Sequence, residues 1–297
     1  MDIAILNAFI AIAETGSFSA AGERLHLTQP AISKRIASLE TQLALRLFDR
    51  LGRAVSLTEA GRALLPRAYR ILEVLDDTRR ALSNLSGEVS GRLTLATSHH
   101  IGLHRLPPLL RSFTRAHPSV ALDIQFLDSE AAYEEILHGR AELAVITLAP
   151  HTHAPVKAVA VWDDPLDFVA APEHPLARQG AIGLADVARH PAVFPGDNTF
   201  THHIVSRLFA AQGLTPTIGM STNYLETIKM MVSIGLAWSV LPRTMLDHQV
   251  TRLPLAGIEL NRQLGYILHT ERTLSNAAKA FMVLLDQQRT DLVDAPR

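Results

Sequence analysis

"LTQPAISKRIASLE", Leu27 to Glu40, decides how the first part of this chain is read. Thr28 is a good N-cap, and Pro30 falls in the first turn, where its missing N–H is harmless. At 100° per residue, Ile32, Ile36, Leu39 and Leu43 form one apolar stripe. The opposite side carries Pro30, Lys34, Ala37, Ser38 and Thr41, flanked by Ser33 and Arg35, with no large apolar group and no acid. Small residues permit close approach, while Ser, Lys and Arg donate to phosphates and base edges. The N-terminus of such a helix adds free N–H groups and positive dipole, which suit a phosphate.

Upstream, Leu6, Phe9, Ile10 and Ala13 recur at helical spacing and predict a helix ending near Gly16. In "SFSAAGERLHL" Ser17 or Ser19 can cap a short second helix. Two short helices leading through a tight turn into the quoted one make a helix-turn-helix over about residues 18–37, with the third helix entering the major groove. Downstream, "LRLFDRLGRAVSLT" reads as a hairpin around Leu51-Gly52 with Arg50 and Arg53 near its tip. That is a wing placed to reach backbone or minor groove. From Arg24 to Arg53 six basic residues face two acidic ones, on a chain whose net charge is -1. A solvated charged face would explain Lys34 and Arg35 singly. The whole arrangement points to DNA, with Ser17, Thr28, Gln29, Pro30, Ser33, Lys34, Arg35, Arg50 and Arg53 as the candidate contacts.

From Thr58 a helical pattern continues to about Ser86. Leu64, Ala68, Ile71, Leu75, Thr78, Leu82 and Leu85 alternate spacings of four and three, a heptad seam that calls for a partner. A second copy of the same helix is the simplest one, and packing against the chain's own domain is the alternative. Pro66 should kink this helix or mark its start. "SGEVSGRL", Ser86 to Leu93, reads as a hinge.

Beyond the hinge, "RLTLATS", "VALDIQFLD", "AELAVITL", "PLDFVAA" and "HPAVFPG" are runs of strand length alternating with helical stretches such as "LHRLPPLLRSFTRAH" and "EAAYEEILHG". This predicts a doubly wound α/β domain, with ligands beyond the carboxyl ends of strands. The rule selects "TSHHIG" (97–102), "DSE" (128–130), Thr147 and "GDNTFTHH" (196–203). The candidate ligand residues are Thr97, Ser98, His99, His100, Asp128, Thr147, Asn198, Thr199, Thr201 and His202. Helix N-termini lined with hydroxyls and imidazoles attract anions, so a small carboxylate between two lobes is expected. Capping alone would account for each Ser or Thr taken singly.

His99-His100, His104, His151-x-His153 and His202-His203 raise the question of metal, and His100 and His104 share a helical face. No carboxylate or cysteine lies at ligand spacing beside them in sequence, and HExxH is absent, so no metal or other cofactor is expected.

The stretch "FIAIAETGSFSAAGERLHLTQPAISKRIASLETQLALRLFDRLGRAVSLTEAG" closely resembles the N-terminal domain of LysR-type transcriptional regulators. It departs at Ala44, where the family usually has glycine between recognition helix and wing. "GRLTLATS" is similar to the family's first effector-domain strand. "MVSIGLAWSVLP" is similar to its late glycine-to-Leu-Pro signature, with Ala237 where a second glycine is common. The family often has Ser or Thr where His99 and His100 stand. The resemblance implies an α/β protein with an all-α winged helix-turn-helix domain at 1–58 and a linker, or dimerisation, helix at 59–88. An effector-binding domain at 91–297 would follow, with two Rossmann-like lobes as in type 2 periplasmic-binding proteins. Lobe I would take about 91–161 and 267–297, and lobe II about 162–266. It also implies paired linker helices, with Leu64, Ala68, Ile71, Leu75, Leu82 and Leu85 at the dimer seam. Homodimers would assemble into a homotetramer on a near-palindromic double-stranded DNA operator, and an inducer would alter the bend of the DNA. RNA polymerase is a further candidate partner.

Composition narrows the field. The chain of 297 residues contains no cysteine, which excludes disulfides and thiol chemistry. No apolar run reaches the ~20 residues of a membrane span. The first residues show no secretion-signal pattern, so a cytoplasmic protein is expected. Neither GxSxG nor a glycine-rich phosphate loop occurs, which argues against an enzyme. Two rival readings are a metal-dependent hydrolase using the histidine-rich segments and a plain small-molecule-binding protein. The second would leave the first ninety residues without a task.

Overall fold

The computed structural model describes residues 2–51 and 54–289 and divides into two compact units between Leu85 and Ser86. The first unit contains α1 (Ile3–Thr15), α2 (Phe18–Arg24), α3 (Gln29–Leu43), a hairpin of β1 (Phe48–Leu51) and β2 (Ala54–Leu57), and the long α4 (Glu59–Asn84). Each boundary has a chemical cause. Asp2 caps α1 and Gly16 ends it in the left-handed region. Ser17 caps α2 by accepting from Ala20 N at 3.3 Å, and Thr28 caps α3 by accepting from Ala31 N at 3.4 Å. Between α2 and α3 the chain turns so tightly that a Cβ on Gly22 would lie 2.7 Å from the Leu27 carbonyl oxygen. Ile32, Ile36 and Leu39 of α3 are buried against Phe9, Ile12, Phe18 and Phe48. That buried stripe leaves the opposite face of α3 to solvent.

After α3 the chain reverses at Ala44, whose φ of +52° lies in the left-handed region. The Glu40 carboxylate then accepts the backbone N–H of Leu47 at 2.7 Å, fastening the start of the hairpin to the helix. Gly52 and Arg53, expected at the hairpin tip, lie outside the described residues, as does the side chain of Arg50.

α4 begins at Glu59 under a Thr58 cap and runs through Pro66, so the proline does not mark its start. The expected dimer seam needs a correction at its N-terminal end. Ala68 is fully buried in the core of its own chain, and Leu64 packs partly buried against that core. Ala68 is therefore not available to a partner. Farther along, Ile71, Leu82 and Leu85 are exposed, with Val74 beside them and Leu75 half-buried.

The second unit contains β3 (Gly91–Thr97), α5 (His99–His104), α6 (Leu106–Ala116), β4 (Val120–Phe126), α7 (Ser129–Leu137), β5 (Leu143–Thr147) and the long β6 (Val156–Ala170). There follow α8 (Pro175–Arg178), α9 (Leu184–Ala188), β7 (Pro191–Phe194), α10 (Phe200–Ala210), β8 (Thr217–Ser221), α11 (Leu225–Ser233), β9 (Ser239–Pro242), β10 (Thr251–Arg252), β11 (Leu260–His269) and α12 (Asn276–Asp286). The stretch expected as one helix from Leu103 to His117 is instead two, broken at Arg105 ahead of Leu106-Pro107-Pro108.

β4, β3 and β5 pair in parallel, and β5 pairs antiparallel with β11, which pairs antiparallel with β6. One core, around Leu95, Phe113, Trp162, Tyr266 and Phe281, lies under this first lobe. A second core forms around Phe168, Phe194, Phe209 and Trp238, the Phe168 and Phe209 rings stacking on Trp238 at 5.7 and 5.8 Å. β6 and β11 serve both lobes. β6 pairs β11 from Val156 to Leu166 and then pairs β9 from Leu166 to Val169. The lobe boundaries expected at 161/162 and 266/267 thus fall inside two continuous strands.

Candidate functional site

The exposed face of α3 brings together four of the nine expected DNA contacts. Gln29, Pro30 and Lys34 are exposed and Ser33 is half-exposed, with Gln29 Nε2 donating to Ser33 Oγ at 3.3 Å. Ala37, Ser38 and Thr41 extend the same surface. Thr28 and Ser17 spend their hydroxyls on capping, which fixes the helices that carry the surface. Arg35 is half-buried and its Nη1 donates to the Ala4 carbonyl at 3.4 Å, so it braces α3 against the start of α1. A small, polar, cationic helix face of this kind can enter a major groove, with Lys34 reaching phosphate and Ser33 a base edge.

A second site is a cavity of about 410 Å³ in the second unit, a size suited to a small metabolite. The first lobe contributes Ser98, His99 and His100 after β3, Asp128 and Glu130 after β4, and Thr147 at the end of β5. The second contributes Thr199 and Thr201 at the start of α10 and Asn223 and Tyr224 before α11. All of these follow strand ends, as the topology requires. Three expected residues stand apart. Thr97 is fully buried and donates to the Val145 carbonyl at 2.8 Å. Asn198 is exposed and does not line the cavity, and His202 packs on Phe194 with its Nδ1 2.9 Å from the Pro195 carbonyl oxygen.

Sequence reasoning missed Asn223, Tyr224 and, above all, Arg262. It sits on β11, 6% exposed, and lines the cavity. Its Nε donates to Asp164 Oδ2 at 2.8 Å and its Nη1 to Thr201 Oγ1 at 2.8 Å. Asp164 is completely buried and has Arg105 3.6 Å away on its other oxygen. A buried carboxylate between two guanidiniums is satisfied electrostatically, and it fixes Arg262 in place. A guanidinium held this way is suited to a planar anion.

The N-terminus of α10 is already in use. Glu130 Oε1 accepts from Phe200 N at 2.6 Å, so the expected anion position there is held by the protein's own carboxylate. Burial raises the Glu130 pKa, against the lowering effect of that hydrogen bond. Nearby, Asp128 Oδ2 accepts from Asn223 Nδ2 at 2.7 Å, and Asn223 Oδ1 accepts from Gly196 N at 2.7 Å. Two acidic residues of one lobe thus engage the other. His100 is 6% exposed, and burial together with the Arg262 charge lowers its pKa to about 4. It is a neutral imidazole at physiological pH.

Comparison with known proteins identifies both domains. Residues 3–62 match the model of the bacterial regulatory helix-turn-helix protein, lysR family, and residues 86–289 match the LysR substrate binding domain. An uncharacterized HTH-type transcriptional regulator of Azotobacter vinelandii, from the ibpB-leuC intergenic region, is 85% identical over 108 residues. That alignment covers 36% of this chain and 75% of the relative. The RuBisCO operon transcriptional regulator of Allochromatium vinosum is 31% identical over 281 residues, covering 93% of this chain and 92% of that one. The solved structure of full-length CbnR complexed with its target DNA shares the fold, with a TM-score of 0.64 at 22% identity over 97% of this chain and 99% of that one. Among the described residues no helix is long and apolar enough to cross a membrane. The chain belongs to the LysR family: it is not an enzyme but a DNA-binding transcriptional regulator in which a helix-turn-helix domain is joined to an effector-binding domain.

Proposed function

We propose that this regulator controls its promoters in response to a small organic acid bound in the cavity around Arg262. The observation that carries this reading is the buried guanidinium, held by Asp164 and Thr201 at a cavity wall where the carboxylates of Asp128 and Glu130 are already engaged by Asn223 and the Phe200 N–H. With the α10 N-terminus occupied by Glu130, Arg262 is the group best placed for the ligand carboxylate, and Ser98, His99, Thr147 and Thr201 hydrogen-bond the remainder. A ligand acts only through different affinities for two arrangements of the protein. Lobe closure across the Asp128–Asn223 and Glu130–Phe200 contacts supplies such a pair.

On DNA, α3 reads the major groove through Gln29, Pro30, Ser33 and Lys34, and Arg50 and Arg53 of the wing meet the flanking backbone. The exposed stripe of Ile71, Val74 and Leu82 on α4, continued by Leu85 at its C-cap, pairs two chains. The homodimer assembles into a homotetramer on a near-palindromic operator in the cytoplasm, in reach of RNA polymerase. The test has two parts. Gel shifts at several salt concentrations should show Lys34→Ala binding all sequences more weakly, with a salt slope lower by about 1, and Ser33→Ala changing preference between sites. Thermal-shift screening of carboxylates on the full chain should give a stabilisation that tracks concentration and vanishes in Arg262→Met. Unchanged DNA binding in both DNA variants, or a ligand effect that survives in Arg262→Met, refutes the assignment.

A further inference from the structure

Beside the cavity the fold brings a distant carboxylate to a histidine pair that shares one helical face. His100 and His104 stand one helical turn apart on α5, their rings 4.8 Å apart. Glu226, in the first turn of α11, approaches from the other lobe. Its Oε1 lies 2.9 Å from His104 Nε2 and 3.7 Å from His100 Nδ1. One ligand atom from each of the three residues fits within a 4.8 Å span.

Two observations favour a metal ion over a plain His104–Glu226 hydrogen bond. First, neither ring nitrogen of His100 has a hydrogen-bond partner in the protein, although the residue is 94% buried (6% exposed). A buried imidazole left this way is costly unless something else engages it. Second, the distances from Glu226 to the two histidines are close to those within a coordination shell. Metal–ligand bonds near 2.0–2.1 Å in a tetrahedron put ligand atoms about 3.3 Å apart, and the two distances to Glu226 fall on either side of that value. Asp164 offsets part of the nearby Arg262 charge, and the Glu226 carboxylate brings negative charge to the cluster itself.

We propose that His100, His104 and Glu226 form a binding site for a divalent transition metal of the zinc class, tying α5 of one lobe to α11 of the other. Two imidazoles and a carboxylate suit zinc, cobalt or nickel rather than magnesium or calcium, which prefer all-oxygen shells. Three protein ligands leave a fourth position for water or an oxygen of a bound acid. The site does not depend on the organic-acid reading.

The experiment uses untagged full-length protein stripped with chelator, then titrated with Zn(II) by calorimetry and with Co(II) by visible absorption. One equivalent should bind per chain, give the ligand-field bands of a four-coordinate cobalt site, and raise the melting temperature. His104→Gln and Glu226→Gln, changes at partly exposed positions that leave the core intact, should each weaken binding at least tenfold. The double variant His151→Gln/His153→Gln, at an exposed histidine pair, should bind as the parent does. Absence of saturable binding at one equivalent, unchanged affinity in either single variant, or equal loss in the control pair would overturn the site.

Discussion

Glu130 on α7 accepts the backbone N–H of Phe200 at 2.6 Å, so a carboxylate from one lobe caps a helix belonging to the other. Burial raises its pKa, so the folded protein takes up this proton at a higher pH than the unfolded chain does. Stability from this group is therefore gained as pH falls through the native value and lost as pH rises through it. Glu130→Gln keeps an acceptor for Phe200 but cannot titrate. Melting temperatures measured from neutral to mildly acidic pH should show the parent gaining on the variant as the solution is acidified. A constant difference would refute this.

Arg262→Met should cost about 3 kcal/mol of stability, the lower end for breaking a buried pair, because Arg105 still stands 3.6 Å from Asp164. Removing both charges in Arg262→Met/Asp164→Leu should recover much of the loss. Carboxylate-dependent stabilisation should be absent from both variants. Urea unfolding with and without ligand separates the two effects, and full ligand response in the double variant is the adverse result.

Ala44→Gly should stabilise the N-terminal unit. An alanine at φ +52° carries a left-handed strain of about 1 kcal/mol that glycine does not. Glycine's greater freedom in the unfolded chain subtracts part of this, so a rise of a few tenths to about 1 kcal/mol is expected in chemical denaturation. A loss of stability would show that the strain reading is wrong.

Leu82→Asp should dissociate the dimer in sedimentation at micromolar concentration with the fold intact, because Leu82 is 64% exposed and supports nothing in its own chain's core. Ala68→Asp should instead unfold the N-terminal unit, since Ala68 has no exposed surface. A dimer that survives Leu82→Asp argues for a different interface.

The helix-turn-helix was legible because its signals are local: a threonine cap, a proline in the first turn, and a stripe at 3.6-residue spacing. The strand ends that build the cavity were legible for a similar reason, and Ser98, His99, His100, Asp128, Thr147, Thr199 and Thr201 do line it. Arg262 was not. In "IELNRQLGY" it reads as an ordinary charged strand residue, and only its pairing with Asp164, 98 positions away, shows that it is buried. Glu226 escaped for the same reason, being 122 positions from His104. Ala68 was misplaced because a heptad seam and a helix packed on its own domain show the same periodicity until the neighbours are known.

The paired strands β6 and β11 make the two lobes one piece of fabric rather than two beads on a string. Near their middle the register slips between Leu264 and Gly265, and the backbones come so close that a Cβ on Gly265 would sit 2.1 Å from the Val159 carbonyl oxygen. Arg262 lies two residues before that slip, on the same ribbon. An anion held by its guanidinium is therefore anchored on the strands that both lobes share, not on a loop of either one.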